Sequence, residues 1–348
     1  MSETSSPTSI ELGLDTFGDA YTGPDGELLP GAAVIRDVVE QAALADRVGV
    51  DFIGVGEHHR PDLTVSAPDV VLAAIAGRTS RIRLGSAVTV LSSDDPVRVF
   101  ERFSTLDAVS SGRAEVIIGR GSFIESFPLF GYDLGDYETL FNEKLDLFSQ
   151  LLEEKPVTWS GTMRAPLSGQ ELYPKTESGR LRAWIGVGGS PESVIRSVKY
   201  RIPMMLAIIG GDPTRFAPYV DLYHRAQNEL GVPAMPLGAH SPGHIAETDE
   251  QAREELWPHY KTMQDRIGAE RGWPPATRAG FESEAEHGSQ YVGSPETVAR
   301  RIAATVTTLG LDRFDLKYAN GPMPHDQLMT SIELYGTRVI PLVRELLA

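Results

Sequence analysis

The chain has 348 residues, a formal net charge of −16 and no cysteine, and 41% of its residues are hydrophobic. This length can hold two domains or a single barrel, and the hydrophobic fraction is enough for a large core. The acidic charge disfavours nucleic acids and anionic membrane surfaces as partners, and the lack of cysteine excludes disulfides, thiolate metal sites and cysteine nucleophiles.

The sequence contains no run of about eighteen apolar residues, and no basic segment followed by an apolar one lies near its start. Residues 1–9 are rich in serine and threonine, so we expect a disordered tail there. These features predict a soluble globular protein of the cytoplasm.

Short apolar runs alternate with stretches of helical periodicity along most of the chain. The predicted strands are residues 10–16, 50–56, 82–90, 114–119, 183–187, 203–209, 235–240 and 313–318. The predicted helices are residues 34–48, 69–78, 95–110, 139–153, 190 onward, 215–230, 248–267, 294–310 and 325–347, the last interrupted near Pro341. Eight strands that alternate with helices predict a (β/α)8 TIM barrel. A doubly wound open sheet is the alternative, but eight equivalent units favour closure.

Two segments interrupt this alternation. Residues 154–182 include Val157–Gly161, which indicates one arm of a hairpin insertion outside the main sheet. Residues 270–290 are polar and contain paired prolines, which favours an irregular insertion or a mobile lid. Since no linker stands out, we expect a single domain over residues 10–348 that carries these two insertions.

Ionisable residues follow the second predicted strand directly, where Glu57, His58 and His59 end a buried apolar run. Such groups are costly in a core and useful at the mouth of a pocket. Other residues at the ends of predicted strands are Arg120, Gly188, Gly189, Ser190 and His240. In a barrel all these ends meet at one face, which favours a functional site over the simpler alternative of one capping and one solvated histidine.

The turn from Gly188 to Ser193 places small residues where a helix begins. Backbone N–H groups at a helix start suit a phosphate, the hydroxyls of Ser190 and Ser193 add donors, and Arg120 supplies a positive charge. The alternatives are an ordinary helix cap and an Arg120 that pairs with Glu125. The dinucleotide-binding fingerprint is absent, because no Gly-x-Gly-x-x-Gly follows the first strand.

Two other kinds of site have weak support. The histidines at positions 58, 59, 240 and 244 match no set of metal ligands, so we expect no bound metal. A serine nucleophile is disfavoured, because no Gly-x-Ser-x-Gly elbow occurs.

Seven short motifs, in order, resemble those of the bacterial luciferase-like flavin monooxygenases. They are Glu57-His58-His59, Leu84 to Val88, Asp95 to Arg98, Ser111-Gly112-Arg113 with Gly119-Arg120-Gly121, Phe130-Gly131, the Gly188-Gly189-Ser190 turn, and Val292 to Glu296. The resemblance extends from about residue 10 to residue 347. It implies a (β/α)8 barrel that binds FMN, usually reduced by a separate reductase.

The resemblance also implies roles for particular residues. His58 corresponds to the catalytic imidazole, with Glu57 and His59 beside it. A non-proline cis peptide at Ala87–Val88, next to Ser86, would lie under the flavin ring. The phosphate would be held by Arg120, Gly188, Gly189, Ser190 and Ser193.

This chain departs from luciferase at two of these positions. In luciferase a second arginine reaches the phosphate, and its position corresponds to one near Glu138 in this chain. Luciferase also has a carboxylate at the position that corresponds to Gly189. Since a carboxylate does not bind phosphate directly, we expect Tyr137 to act as a replacement donor.

The function implied is an FMN-dependent monooxygenase that uses reduced flavin and O₂ to oxidise a small organic substrate. One alternative is an F420-dependent dehydrogenase of the same superfamily, in which hydride transfer replaces oxygen activation. Another is a non-catalytic flavin-binding or dimer-partner protein, against which the intact His58, His59 and Arg120 argue. The resemblance further implies a homodimer, and the apolar residues of the predicted helix 96–110 could form its interface.

Overall fold

A computed structural model describes residues 10–23, 27–121 and 123–348, so the predicted tail at residues 1–9 lies outside the described residues. The described strands are β1 Glu11–Thr16, β2 Phe52–Val55, β3 Arg83–Val90, β4 Ala114–Gly119, β5 Val157–Trp159, β6 Leu167–Gln170, β7 Arg182–Val187, β8 Met204–Ala207, β9 Leu237–Ile245, β10 Tyr291–Gly293 and β11 Arg313–Lys317. The described α-helices are α1 Gly31–Arg47, α2 Pro68–Ala76, α3 Pro96–Val109, α4 Ser126–Phe130, α5 Tyr137–Leu151, α6 Pro191–Lys199, α7 Ala217–Leu230, α8 Asp249–Arg271, α9 Arg278–His287, α10 Pro295–Leu309, α11 His325–Leu334 and α12 Ile340–Leu347.

Eight parallel strands close into a barrel in the order β1, β2, β3, β4, β7, β8, β9 and β11, and β11 pairs with β1. Pairing of β8 with β9, from Met204 opposite Leu237 to Ala207 opposite His240, completes the ring. The short strand β10 pairs with β9 outside the ring. This topology confirms the predicted (β/α)8 barrel and excludes the open sheet.

Several barrel helices begin at a side-chain cap followed by proline. Asp95 accepts hydrogen bonds from the N–H groups of Val97 and Arg98 at the start of α3. Ser190 and Ser294 cap α6 and α10 in the same way, and proline follows each cap. Because a cap satisfies N–H groups that have no partner within the helix and proline needs none, these short motifs fix where each helix starts.

The interior of the barrel is layered from the amino ends of the strands to their carboxyl ends. At the amino ends Arg313 is completely buried, with its guanidinium 2.7 Å from Asp315 and paired with Glu115. Burial raises the pKa of Asp315 to about 6, although Arg313 acts in the opposite direction. An apolar layer of Phe52, Ile117, Trp184 and Met205 follows. Above this layer the interior becomes polar again, at the carboxyl ends.

The predicted insertions have different outcomes. Residues 154–182 contain the antiparallel hairpin β5–β6, which confirms the prediction of a hairpin outside the main sheet. The prediction of an irregular segment at residues 270–290 is wrong, because α8 extends to Arg271 and α9 follows. The ring of Phe281 on α9 packs 5.0 Å from that of Tyr260 on α8. The polar composition concealed the second helix, whose glutamates and alanines are good helix formers.

One smaller difference concerns β10, whereas the predicted interruption of the last helix near Pro341 is confirmed. The strand β10 was not predicted, since three residues give too short a pattern to recognise. The last helix is interrupted by a π-helical turn at Tyr335–Val339, which ends before Pro341. No described helix is both long enough and apolar enough to span a membrane.

Candidate active site

His58 lies just beyond β2 and is held on several sides. Its Nδ1 is 3.1 Å from Oε1 of Glu125, and the two side chains are 12% and 19% exposed. The Phe17 ring packs 4.8 Å from the imidazole and the Phe123 ring 5.2 Å from it, between ring centres. The imidazole is therefore fixed in orientation, with one nitrogen directed at a carboxylate.

The protonation of Glu125 sets the roles of the two ring nitrogens of His58. Burial raises the pKa of Glu125. The hydrogen bonds from His58 and from nearby backbone N–H groups together lower it by more, so the pKa lies below its usual range. The ionised carboxylate accepts the Nδ1–H, which leaves Nε2 to exchange a proton with a ligand. Glu125 was expected as a possible partner of Arg120, but the structure pairs it with His58.

His59 is oriented by Glu57. Its Nε2 lies 3.1 Å from Oε1 of Glu57, and the other carboxylate oxygen accepts the Val90 N–H at 2.8 Å. The Glu57 N–H in turn donates to the carbonyl of Val88 at 3.0 Å. Glu57 is thus tied to β3 through both its backbone and its side chain, and its carboxylate is used in holding His59.

The start of α6 offers an opening with hydrogen-bond donors around it. The Ser190 hydroxyl accepts the Ser193 N–H at 3.2 Å, and the two hydroxyl oxygens are 2.9 Å apart. Gly189 has a φ of +102°, a conformation that favours glycine. A Cβ placed on Gly188 would meet nothing within 4 Å, so there is space beside the helix start. Space, N–H groups and a positive helix end together suit an anion.

Two arginines converge on one carboxylate next to this opening. Arg120 forms an ion pair with Glu138, and Arg196 approaches the other oxygen of Glu138 at 3.3 Å. Arg196 also lies 3.4 Å from the Ser193 hydroxyl. Burial lowers the pKa of Arg196, although Glu138 acts in the opposite direction. We call Arg120, Arg196, Ser190, Ser193 and Gly188–Gly189 the anion cradle.

Sequence reasoning missed Arg196, although its spacing from Ser193 was a usable signal. A residue three positions along a helix lies on the same face, so Arg196 had to share the face of Ser193. It supplies the second guanidinium that was expected to be missing. Tyr137 was expected as the replacement donor, but its hydroxyl donates a hydrogen bond to the Gly121 carbonyl at 2.7 Å. The centre of its ring lies 5.5 Å from the Arg120 guanidinium.

The third barrel strand, β3, carries an unusual peptide bond at the opening formed by the carboxyl ends of the strands, which we call the mouth of the barrel. The bond Ala87–Val88 is cis, at the position implied by the resemblance. The adjacent Ser86 is fully buried, with its hydroxyl donating to the Ile117 carbonyl at 3.1 Å and accepting from Thr89 at 2.9 Å. The structure therefore brings the cis bond to the mouth, but the Ser86 side chain is used within the barrel wall.

A second imidazole–carboxylate pair lies across the mouth from the anion cradle. His240 on β9 has its Nδ1 2.6 Å from Oδ2 of Asp15 on β1. Lys317 on β11 lies 4.7 Å from the centre of the Phe17 ring, the same ring that packs on His58. Since Lys317 is also in register with Asp15, the two histidines lie at the same end of the barrel.

Two other features lie away from this opening. A cavity of about 320 Å³ is present at the amino ends of β7 and β8, lined by residues that include Arg180, Trp184 and Arg201. Asp37, Glu40 and His325 bring ligand atoms within 4.8 Å of one another on α1 and α11. The cavity lies at the opposite end of the barrel from this opening, whereas the Asp37, Glu40 and His325 group lies on the outer helices, where Asp37 accepts a hydrogen bond from Tyr21.

Comparisons of sequence agree on one family. A family model described as luciferase-like monooxygenase matches residues 18–313. The uncharacterised protein y4vJ of Sinorhizobium fredii is 37% identical, covering 90% of this chain and 93% of its own. The 4-hydroxyprotoasukamycin monooxygenase of Streptomyces nodosus subsp. asukaensis is also 37% identical, over 43% of this chain and 41% of its own.

Solved structures share the fold at low sequence identity. Monooxygenase RslO1 from Streptomyces bottropensis has a TM-score of 0.81 at 20% identity, covering 95% of this chain and 99% of its own. The oxygenating constituent of 3,6-diketocamphane monooxygenase from Pseudomonas putida, in complex with FMN, has a TM-score of 0.76 at 18% identity, with coverages of 96% and 98%. An F420-dependent secondary alcohol dehydrogenase has a TM-score of 0.75 at 17% identity, with coverages of 96% and 99%. These likenesses establish the barrel and leave the cofactor open.

Proposed function

Since this chain belongs to the luciferase-like monooxygenase family, we propose that it is an FMN-dependent monooxygenase that oxidises a small organic molecule with reduced FMN and O₂. The observation that carries the proposal is the anion cradle, where Arg120 and Arg196 converge beside the start of α6. Two guanidiniums and a helix N-terminus balance the negative charge of a terminal phosphate such as that of FMN. Their N–H groups are enough to hydrogen-bond its several oxygens.

The anion cradle can hold a phosphate if the Glu138 carboxylate moves away from Arg120 and Arg196. The Glu138 side chain is 56% exposed, at the first turn of α5, so it can turn toward solvent without losing packing. The hydroxyls of Ser190 and Ser193 remain as donors beside the positive end of α6, whereas the Ser193 N–H is bonded to the Ser190 cap. The isoalloxazine would lie toward Ala87–Val88 and the residues that follow β2.

The bound reduced flavin would supply the electrons that activate O₂. His58 is the group we assign to proton transfer, because Glu125 holds Nδ1 and leaves Nε2 for the reacting molecules. The rings of Phe17 and Phe123 pack beside the imidazole and give it apolar surroundings. His59, held by Glu57, is a neighbour that shapes the opening.

Titration of the purified chain with FMN, followed by quenching of flavin fluorescence, tests the proposal. Loss of one charged hydrogen-bond donor costs about 1.5–3 kcal/mol. Arg120→Ala and Arg196→Ala should therefore each weaken FMN binding by about 10- to 150-fold. Arg98→Ala, which removes a solvent-exposed arginine of α3, is the matched control and should leave binding unchanged.

F420 is titrated in parallel, because it is the cofactor of the main rival function. Saturable binding of F420 without binding of FMN would replace the monooxygenase with a dehydrogenase. A non-catalytic flavin-binding role would be supported instead if FMN binds and His58→Ala leaves coupled oxygen consumption unchanged with a confirmed substrate.

Two partners belong to the proposal. A separate reductase would supply reduced FMN, so the purified chain alone should not oxidise NADH in the presence of FMN. A second copy of the chain would pack on the outer faces of α2 and α3, where Val70 and Val109 are 64% and 59% exposed. Light scattering on the purified chain measures whether it is a dimer.

A further inference from the structure

The proposed flavin site uses only one half of the barrel mouth. Its residues lie on and after β2, β3, β4 and β7, whereas β9, β11 and β1 carry ionisable side chains to which the proposed function gives no role. These are His240, Lys317 and Asp15. Lys317 is ion-paired with Asp19 at 3.2 Å, but the burial of Asp15 and His240 is expensive and requires a separate explanation.

The pair formed by Asp15 and His240 has an open side. Oδ2 of Asp15 is 2.6 Å from Nδ1 of His240, and the two side chains are 1% and 13% exposed. Among the residues that the structure describes, none forms a hydrogen bond with Nε2 of His240. Oδ1 of Asp15 is buried without a hydrogen-bond partner. On the neighbouring strand β8, the small residue Ala207 lies beside His240 and is only partly buried.

The surrounding charges determine how readily His240 accepts a proton. Burial lowers the pKa of His240, while Asp15 and, more weakly, Asp315 raise it and Lys317 lowers it, so that the pKa lies above its usual value. With Nδ1 held by Asp15, Nε2 of His240 is placed to accept a proton from the O–H group of a ligand beside it. Phenols and enols carry such an O–H group, and its ionisation prepares their carbon atoms for an electrophilic oxygen.

We propose that His240, positioned by Asp15, is the acid–base group for the organic substrate, and that this substrate is a phenol or an enolisable carbonyl compound. The inference rests on the proposed function, because it assigns the substrate to the half of the mouth opposite the flavin residues. Lys317 is in register with Asp15, the partner of His240, and contacts the Phe17 ring that also packs on His58, so the two histidines lie at the same end of the barrel.

The step is a proton transfer without any change of oxidation state. The substrate O–H bond breaks, its proton forms a bond with Nε2 of His240, and the electron pair stays on oxygen as a phenolate or enolate. The Nδ1–H remains hydrogen-bonded to Asp15, whose carboxylate compensates the charge of the imidazolium. The resulting anion is richer in electrons at carbon, where an electrophilic oxygen is accepted.

A purely structural role is the alternative, since the pair connects β1 and β9, which flank β11 in the barrel. That role would affect folding stability and would leave the ionisation of a bound phenol untouched. The test therefore measures ionisation directly.

The probe is 4-nitrophenol, whose phenolate absorbs visible light and whose neutral form does not. The purified chain is titrated at a pH below the pKa of the free probe, with FMN bound. We expect a saturable phenolate band with the unmodified chain. His240→Asn and Asp15→Asn should each decrease the phenolate formed by about ten-fold or more, the effect of losing one charged hydrogen bond. His325→Asn changes a histidine on α11, hydrogen-bonded to Gln41, and should match the unmodified chain.

Circular dichroism verifies that each variant is folded, and His240→Gln provides a second replacement if His240→Asn is not. The inference is overturned if the unmodified chain gives no saturable phenolate band, or if the folded variants give the same band. FMN titration of the same samples tests the proposed function separately, so failure of flavin binding and failure of phenol ionisation can be told apart.

Discussion

At the scale of single residues, the candidate site consists of imidazoles whose hydrogen bonds leave one nitrogen for a ligand. Glu125 holds His58, and Asp15 holds His240, each through Nδ1. A carboxylate in this position selects one tautomer and fixes the plane of the ring. Both pairs join residues that are far apart in the chain, by 67 and 225 positions, so only the closed barrel brings them together.

Removal of the acceptor at Glu125 should release His58. In Glu125→Leu the ring loses its partner, and we expect a mixture of tautomers and a decrease of about 100-fold in turnover, as for other small misplacements of a reacting group. Glu125→Gln keeps an acceptor oxygen and should retain most of the tautomer preference. Nitrogen NMR of the histidine side chains measures the tautomers. An unchanged tautomer in Glu125→Leu would show that Glu125 does not position His58.

His240 should give a pH-dependent contribution to stability. Because its pKa is raised in the folded chain, the stabilisation is fully present below the unfolded pKa of about 6.5 and is lost as the pH rises through the folded value. The difference in the free energy of unfolding between the unmodified chain and His240→Asn should therefore be largest in mild acid and should shrink toward alkaline pH.

Urea unfolding over a series of pH values measures this difference. The groups that face His240 are Asp15 on β1 and Asp315 and Lys317 on β11. Since Asp15 is the main source of the raised pKa, Asp15→Asn should abolish most of the pH dependence. A difference that grows with pH would refute the assignment.

At the scale of elements, short local motifs set where the helices begin, and the helix starts create parts of the site. The cap and proline at the start of α6 place Ser190, Ser193 and Arg196 around one opening. At α9 the same device works without proline, since Thr277 accepts the Gly280 N–H at 3.1 Å. A segment that was expected to be irregular is thus a capped helix that packs on α8.

The cap of α9 can be tested by substitution. Thr277→Ala should destabilise α9 by about 1 kcal/mol, the usual cost of removing an N-cap, because the Gly280 N–H loses its acceptor. Thr277→Ser keeps the hydroxyl and serves as the matched control. Hydrogen exchange of the α9 amides measures the effect, and equal protection in the two variants would rule out a capping role.

The sequence predicted the strands and helices better than it predicted the contacts between side chains. Eight short runs that alternate with helical stretches predicted the eight barrel strands, and the closed barrel places their carboxyl ends at one face. The pairing of Arg120 with Glu138 and of His58 with Glu125 could not be predicted, because each depends on how side chains of α5 and of the segment after β4 turn toward the mouth. The helix α9 was missed because polar residues on an exposed helix leave little apolar periodicity.

At the scale of the whole molecule, the barrel is closed around charged groups as well as apolar ones. Arg313 lies completely buried over the Phe52 ring, 3.6 Å from its centre, and pairs with Asp315 and Glu115. Glu115 has further partners in Arg83 and Arg182, whereas the ion pairs of Asp315 involve Arg313 alone among the described residues. The integrity of the barrel floor therefore depends strongly on one arginine.

Arg313→Met should destabilise the fold by about 3–5 kcal/mol, because it leaves the Asp315 carboxyl buried without its partner. Addition of Asp315→Asn to the same chain removes the uncompensated charge and should recover most of the loss. Urea unfolding measures both. A loss below about 1 kcal/mol in the single variant, within the range of exposed ion pairs, would contradict this account of the barrel floor.

The carboxylate of Glu138 has a consequence for which ligands the anion cradle admits. It is a competitor that the chain carries itself, present at an effective concentration on the order of millimolar or more because α5 holds it in place. Inorganic phosphate or sulfate gains little by displacing it, since one anion merely replaces another. A ligand that brings further contacts elsewhere in the mouth gains the difference, so in the proposed phosphate site internal competition would favour anions attached to a larger molecule.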